Sequence, residues 1–266
     1  QGVVDKALPG DTIFIEPGEF NESILINKEN LTIKSSSGNP DNTIIKGINA
    51  ESYVFEITAI GVNISGFSIT EGRCGVFLNR VDNCTVNDNK ISNLEAGIYL
   101  FESSNNLLSN NMVYSNLDCG IKLLSSPDNV IYRNYFNNTN NARDNKFNTW
   151  NDSRGNYWSD YEGEDADGDG VGDTPYLINS HTGSMDYLPV TRSSDFPEFV
   201  EDSISGKRDV QDYRGISDGF AGSLWTVEAL KNGGSKDRKA SFSLSTPESG
   251  ITEQGFEPWK HSAMVA

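Results

Sequence analysis

Residues 75–142 read as three copies of one sentence: GVFLNRVDNCTVNDNKISNLEA (75–96), GIYLFESSNNLLSNNMVYSNLDC (97–119) and GIKLLSSPDNVIYRNYFNNTNNA (120–142). Self-similarity at a fixed period is settled before any local reading, because it sets the architecture. The opening glycines Gly75, Gly97 and Gly120 are 22 and 23 residues apart. Apolar positions keep the same step, giving columns Val76/Ile98/Ile121, Leu78/Leu100/Leu123, Val86/Leu108/Ile131 and Ile91/Val113/Phe136. Within each copy these residues alternate at period two, the signature of strands and not of helices. Each copy is therefore a few short strands joined by turns.

A polar column fixes how the copies stack. Asn89, Asn111 and Asn134 fall between two apolar columns, where the chain must bend inward. A lone buried amide is costly unless bonded, whereas identical amides about 4.8 Å apart can bond one another up a stack. The copies thus read as successive rungs of a parallel β-solenoid. Antiparallel blades also repeat, but they need units of roughly 40 residues. The segment VNISGFSIT (62–70) joins the repeat, with Ile64, Phe67 and Ile69 extending the columns of Val86, Asn89 and Ile91; Phe67 replaces the asparagine and should end that ladder.

Upstream, a short helical piece is expected at Val3 to Leu8, followed by strands at Thr12 to Ile15, Ser23 to Ile26, Leu31 to Lys34, Thr43 to Lys46 and Tyr53 to Thr58. The helix would cover the open end of the solenoid, an edge that otherwise invites aggregation. Of 29 asparagines only Asn232 lies beyond Pro189, and the rung pattern stops there. The expected organisation is a solenoid over 1–190, a Ser/Asp/Gly-rich linker over 191–219 and a small β module or mobile tail over 220–266, with strands in LWTVEAL and ASFSLS.

A net charge of −17 over 266 residues argues against nucleic acid or an anionic membrane as partner. No apolar run reaches the roughly 18 residues of a membrane span. The chain begins at Gln1, so a processed product or an excised piece is expected, with any targeting segment outside the sequence. Cys74 and Cys119 share a column two rungs apart, about 9.6 Å and beyond disulfide reach, and Cys84 lies in another column; all three read as buried fillers.

The opening PGDTIFIEPGEFNESILI, the repeats, and GNYWSDYEGEDADGDGVGDTPYLI running to DYLP together resemble the NosD-like family of right-handed parallel β-helix proteins. The resemblance covers about residues 1–190. It implies an all-β, single-stranded right-handed parallel β-helix, a pectin-lyase-like solenoid with a small C-terminal extension. Similar proteins are frequent on archaeal surfaces and belong to a wider carbohydrate-binding and sugar-hydrolase group. The fold serves lyases, hydrolases, adhesins and copper-site maturation factors alike, so activity must come from the site.

Four constellations could carry chemistry. In DADGDGVGD, Asp165, Asp167, Asp169 and Asp173 occupy positions 1, 3, 5 and 9 of an EF-hand-like loop, with Gly170 at the sharp turn and the Val171 carbonyl at position 7. This spacing suits Ca²⁺, which takes six to eight oxygens; Tyr176 replaces the usual position-12 Glu, leaving Asp160 or Asp186 to complete the site. Arg73, Glu95 and Asp118 form a column in which two carboxylates would lie about 5 Å apart beside a cation, as in a retaining glycosidase, or else a surface ion pair of little energetic weight. Phe77, Tyr99 and Lys122, next to Asn79, Phe101 and Leu124, should face outward as a carbohydrate-binding patch, unless another segment covers them. Copper, which the family name suggests, would draw on His181, His261, Met112, Met185 and Met264, scattered outside a common site.

Six N-x-S/T sequons, at Asn21, Asn30, Asn63, Asn83, Asn137 and Asn151, would permit glycosylation outside the cell. The expected protein is a monomeric, secreted or cell-surface solenoid, stabilised by Ca²⁺, that binds carbohydrate or a cell-envelope glycan. A polysaccharide lyase or glycoside hydrolase is the alternative, and a copper-site maturation factor the third.

Overall fold

The tight corners of the repeats are made by one residue in the left-handed region followed by one that points inward. Asp88, Asn110 and Arg133, with φ of 57°, 55° and 54°, precede Asn89, Asn111 and Asn134. Asn83, Asn105 and Asp128 do the same before Cys84, Asn106 and Asn129. Asn and Asp tolerate this conformation better than other side chains, which explains the Asn-rich composition of the repeats.

The computed structural model of the protein describes residues 1–193, Phe196 and the backbone of two short strands, Glu228–Lys231 and Arg238–Ser241. Three parallel faces run along one axis. The first stacks Thr12–Ile15, Thr32–Ser35, Asn63–Ser65, Thr85–Asn87, Leu107–Ser109 and Val130–Tyr132. The second stacks seven strands, from Gly18–Asn21 through Thr43–Lys46, Ser68–Asn79, Lys90–Phe101, Met112–Tyr114 and Tyr135–Asn137 to Tyr157–Trp158. The third uses Ile24–Ile26, Tyr53–Ile57, the later halves of Ser68–Asn79 and Lys90–Phe101, Cys119–Leu124 and Ala142–Asp144. The molecule is the parallel β-solenoid expected from the repeat, and the register is the expected one: Val76, Ile98 and Ile121 align, as do Val86, Leu108 and Ile131, and Ile91, Val113 and Phe136.

The repeat glycines have a steric origin. A Cβ on Gly75 would lie 2.8 Å from the Gly97 carbonyl oxygen, and one on Gly97 would lie 2.6 Å from that of Gly120. Rungs approach so closely there that no larger residue fits without moving backbone.

Three ladders of amides cross the rungs, where one was expected. Asn89 Nδ2 donates to Asn111 Oδ1 (3.2 Å), Asn111 to Asn134 (3.0 Å), and Asn134 to Asn156 (3.0 Å), all four residues being buried. Phe67 ends this ladder on its other side, its backbone N–H donating to Asn89 Oδ1. A second ladder runs Asn106, Asn129, Asn148, and a third Asn116, Asn138, Asn141. All three point their amide donors toward the C-terminal end. There each meets a carboxylate: Asp186 accepts from Asn156 (3.1 Å), Asp144 from Asn148 (3.4 Å) and Asp160 from Asn141 (2.7 Å). Each carboxylate gives the last amide donor of its ladder an acceptor.

The C-terminal end is closed by aromatic side chains. Trp150 and Trp158 are buried, Trp158 stacks on Phe136 at 4.7 Å, and Tyr176 stacks on Trp158 at 4.2 Å from the hairpin Tyr176–Asn179/Ser184–Asp186. Tyr157 faces outward and stacks on Tyr135 at 4.7 Å, because its neighbour Trp158 takes the inward position. At the other end the helix is Gly2–Lys6, and Val4 is buried over the first rungs.

Glu228–Lys231 and Arg238–Ser241 pair antiparallel, and the latter pairs parallel with Thr12–Ile15. The expected linker over 191–219 and the rest of the expected module over 220–266 lie outside the described residues, apart from 191–193 and Phe196.

The three cysteines are free and buried. Cys74 and Cys119 align through Ala96, two rungs apart as the repeat required. Burial pushes the Cys74 thiol up to about 12 and those of Cys84 and Cys119 up to about 11, so all three stay protonated at neutral pH.

Candidate functional site

The third face carries the expected outward row. Phe77, Tyr99 and Lys122 align on successive strands, with Asn79, Phe101 and Leu124 beside them. Arg143 extends the row at one end; at the other, Glu56 is the residue in register with Phe77, and Tyr53 is in register with Cys74. Tyr53 stacks on Phe77 at 4.5 Å and Phe77 on Tyr99 at 5.0 Å. Arg73 lies over the free side of Tyr53 and Lys122 over that of Tyr99, at 5.8 and 5.5 Å from the ring centroids. Arg80 sits over Phe101 and pairs with Glu102 at 2.7 Å.

The ring faces therefore look along the solenoid axis, at each other and at cations. Phe77 is only 7% exposed. The row presents ring edges, tyrosine hydroxyls and cationic heads, not the flat stacking platform that outward aromatics suggested. Burial also raises the Tyr99 phenol above its ordinary value, so its hydroxyl remains a donor.

The acid column of the same face is split between two arginines. Glu95 lies 3.7 Å from Arg73 and Asp118 lies 3.3 Å from Arg143, on opposite sides, with all four side chains at least one-third exposed. Each carboxylate has its own counter-charge. Arg143, Tyr53 and Arg80 were not singled out from the sequence, although Arg143 stands 21 residues after Lys122 and so falls in its column.

At the C-terminal end, Asp165, Asp167 and Asp169 bring carboxylate oxygens within 4.8 Å of one another. Local turns place them: Asp167 Oδ1 accepts from the Asp169 N–H (3.2 Å), Asp169 Oδ1 from Val171 (2.8 Å) and Asp165 Oδ2 from Gly170 (3.0 Å). Gly168 and Gly170 supply the left-handed bends, at φ of 74° and 90°. The loop is held to the body by Thr191, whose hydroxyl donates to Asp165 Oδ2 (3.0 Å), and by Arg192, whose guanidinium donates to the Gly168 carbonyl (2.8 Å). Burial pushes the Asp165 carboxyl up, but bonds from Thr191, Gly170 and Gly168 and the charge of Arg192 outweigh it and hold the group below its ordinary value. Asp165 Oδ1 is buried and has no hydrogen-bond partner among the described residues.

Asp173 turns away from this cluster and accepts from the Ala166 N–H at 2.9 Å. Asp160 and Asp186, the two substitutes expected for the position-12 ligand, are occupied elsewhere, since both terminate amide ladders. Tyr176 donates to Asp160 at 3.0 Å, and burial together with that carboxylate raises its phenol.

Hard oxygen donors of this kind fit Ca²⁺ and do not fit copper, which takes imidazole, thiolate or thioether. Among the described residues no such soft set converges. His181 is exposed on the hairpin turn, Met185 is half-buried in that hairpin, and Met112 is buried between Lys90 and Tyr135 on the second face. His261 and Met264 lie outside the described residues.

A family model described as "Periplasmic copper-binding protein (NosD)" matches residues 18–163, more than half of the 266-residue chain. Over 84 residues the chain is 37% identical to a cell surface glycoprotein of Methanothermus fervidus, which covers 32% of this chain and 13% of that protein. The chain thus spans a small part of that relative's length. Among solved structures, an alginate lyase from Paenibacillus sp. str. FPU-7 matches with a TM-score of 0.42 and 16% identity, covering 59% of this chain and 86% of that one. The catalytic domain of a GH87 alpha-1,3-glucanase in complex with nigerose matches with a TM-score of 0.42 and 22% identity, covering 54% of this chain and 28% of that one.

Proposed function

The chain belongs to the NosD family, and from that premise we propose that it is a cell-surface β-solenoid that binds carbohydrate along its third face and is tightened by calcium at its C-terminal end. The observation that carries the reading is the row Glu56, Phe77, Tyr99, Lys122 and Arg143, with the Tyr53 ring stacked on Phe77 and Arg73, Arg80 and Phe101 alongside. It offers an extended polymer one set of hydroxyls, ring edges and cations per rung, about every 4.8 Å. The surface location rests on the surface-glycoprotein relative.

The ion pairing of Glu95 and Asp118 favours binding over cleavage. A glycosidase pair needs one carboxyl protonated and one free, whereas each of these faces its own arginine. Calcium is supported by the three clustered carboxylates and by the orphaned Asp165 Oδ1. Asp165, Asp167 and Asp169 would hold the ion, and neutralising their mutual repulsion would fix the loop against Thr191 and Arg192. The donor set gives copper handling no support.

The test is a glycan array followed by product analysis of every retained glycan. The expected result is retention with the glycan unaltered. Unsaturated products absorbing in the ultraviolet would make the chain a lyase, new reducing ends would make it a hydrolase, and an array with no retained glycan would leave the third face without a ligand.

A further inference from the structure

On the corner between the first and second faces, away from the third, the solenoid carries a groove of about 890 Å³. One wall is the loop Ser35–Asp41, an insertion between Thr32–Ser35 and Thr43–Lys46. Buried hydroxyl bonds brace it, Ser35 with Thr43 at 2.8 Å, and the ion pair Lys90–Asp41 at 2.5 Å ties it to the second face. The floor is the row of left-handed corner residues Gly66, Asp88, Asn110 and Arg133, and Gly155, Val190 and Phe196 close the far end.

The charge of the lining reverses that of the chain. Among the described residues four cations, Lys34, Lys90, Arg133 and Arg154, line the groove against two acids, Asp41 and Asp88, whereas the whole sequence has 21 Lys and Arg against 38 Asp and Glu. Asp41 is spent on Lys90, and Asp88 accepts from Asn87 at 2.5 Å. Lys34 stands over the Phe14 ring at 4.8 Å, which fixes its direction. It aligns with Ser65, Asn87, Ser109 and Tyr132 on successive rungs, and Arg133 follows Tyr132. Four rung steps, about 19 Å, therefore separate the Lys34 end from the Arg133 end.

We propose that this groove binds a linear acidic polysaccharide, with its anionic groups on Lys34 at one end and on Arg133 at the other. The rung spacing is close to the rise per sugar of an extended β-linked pyranose chain, so one sugar lies over each corner. The hydroxyl of Ser65 and the amide of Asn110 face the sugar hydroxyls between the charged ends. This site is separate from the third face and does not depend on it.

The test is calorimetric titration of a polyuronate oligomer into the full chain in sodium buffer, beside a neutral glucan of equal length and a single-stranded oligonucleotide. Polyuronate alone should bind, more weakly as salt rises, since screening shortens the reach of surface charge. The double variant Lys34→Gln with Arg133→Asn should lose about tenfold or more in affinity, two charge-assisted bonds being removed. Asparagine tolerates the left-handed conformation at 133, so the melting temperature should hold. Tyr99→Ala with Phe101→Ala should leave polyuronate affinity unchanged. Equal binding of the neutral glucan, tighter binding of the oligonucleotide, an unmoved affinity in the Lys34/Arg133 variant, or loss in the third-face variant instead would each overturn the proposal.

Discussion

Replacing Asn111 by leucine, a residue of similar size placed in a closed core, is expected to destabilise the solenoid by roughly 2 kcal/mol. The amide makes four bonds: it accepts from Asn89 N–H and Asn89 Nδ2, both at 3.2 Å, and donates to the Val86 carbonyl at 2.8 Å and to Asn134 Oδ1 at 3.0 Å. Two of the partners survive its loss. Asn89 Nδ2 keeps the carbonyls of Ile64 and Asn87, and Asn134 Oδ1 keeps the backbone N–H of residue 111. The Asn89 N–H and the Val86 carbonyl each lose the amide. Leaving two buried groups short of a partner costs about 2–6 kcal/mol, and burying leucine returns about 1.5–3 kcal/mol. At about 2–4 °C per kcal/mol for a chain of this size, a thermal melt followed by far-ultraviolet circular dichroism resolves the effect. Asn137→Leu, at an exposed strand position, is the control and should move stability by no more than about 0.5 kcal/mol. If Asn111→Leu melts with or above the wild type, the ladder is not what holds the rungs in register.

Three further outcomes follow from the same geometry. Calcium in hundredfold excess over its Kd should add about 2.7 kcal/mol, with Kd near 10⁻⁴–10⁻³ M for a loop lacking the position-12 Glu; melts in EDTA and in calcium should differ for the wild type and coincide for Asp167→Ala with Asp169→Ala. Burial raises the Asp186 carboxyl, against hydrogen bonds from Asn156, Leu188 and Trp158, so the folded state holds that proton more tightly than the unfolded one. Its contribution is fully present below the unfolded carboxyl value and is lost as pH rises through the folded one; the stability of the wild type relative to Asp186→Asn should therefore increase as pH is lowered from 7 to about 4, and a constant difference would contradict it. Because thiolates are the reactive species, Cys74, Cys84 and Cys119 should resist alkylation at about pH 8 in the folded chain and all react once it is unfolded; rapid labelling of the native protein would show a thiol outside the core.

The sequence carried the architecture because the rung is a local repeat. Alternation at period two and glycines 22 and 23 residues apart are enough to align the columns, and the structure aligns Val76, Ile98 and Ile121 as the sequence does. Only one ladder of three was legible. Asn106, Asn129 and Asn148, and Asn116, Asn138 and Asn141, sit among so many other corner asparagines that inward and outward ones look alike. Their aspartate ends were hidden as well: Asp186 lies 30 residues beyond Asn156 and meets it only because the hairpin folds back. The aromatic row was placed correctly along the chain but not in orientation, since ring direction depends on Tyr53 and on cations from neighbouring rungs. The groove depends on a wall from residues 35–41 and a far end from 155–196, and no contiguous pattern joins these.

The most direct test of the carbohydrate reading is a calorimetric titration of the best neutral array glycan, one the acidic-polymer groove does not take, into the wild type and into Tyr99→Ala with Phe101→Ala. The two lost rings contribute about 0.5–1.5 kcal/mol per aromatic contact, so the variant should melt within a few degrees of the wild type. The account predicts that the wild type binds and that the folded variant gives no measurable heat. A folded variant that binds the glycan as tightly as the wild type would contradict it.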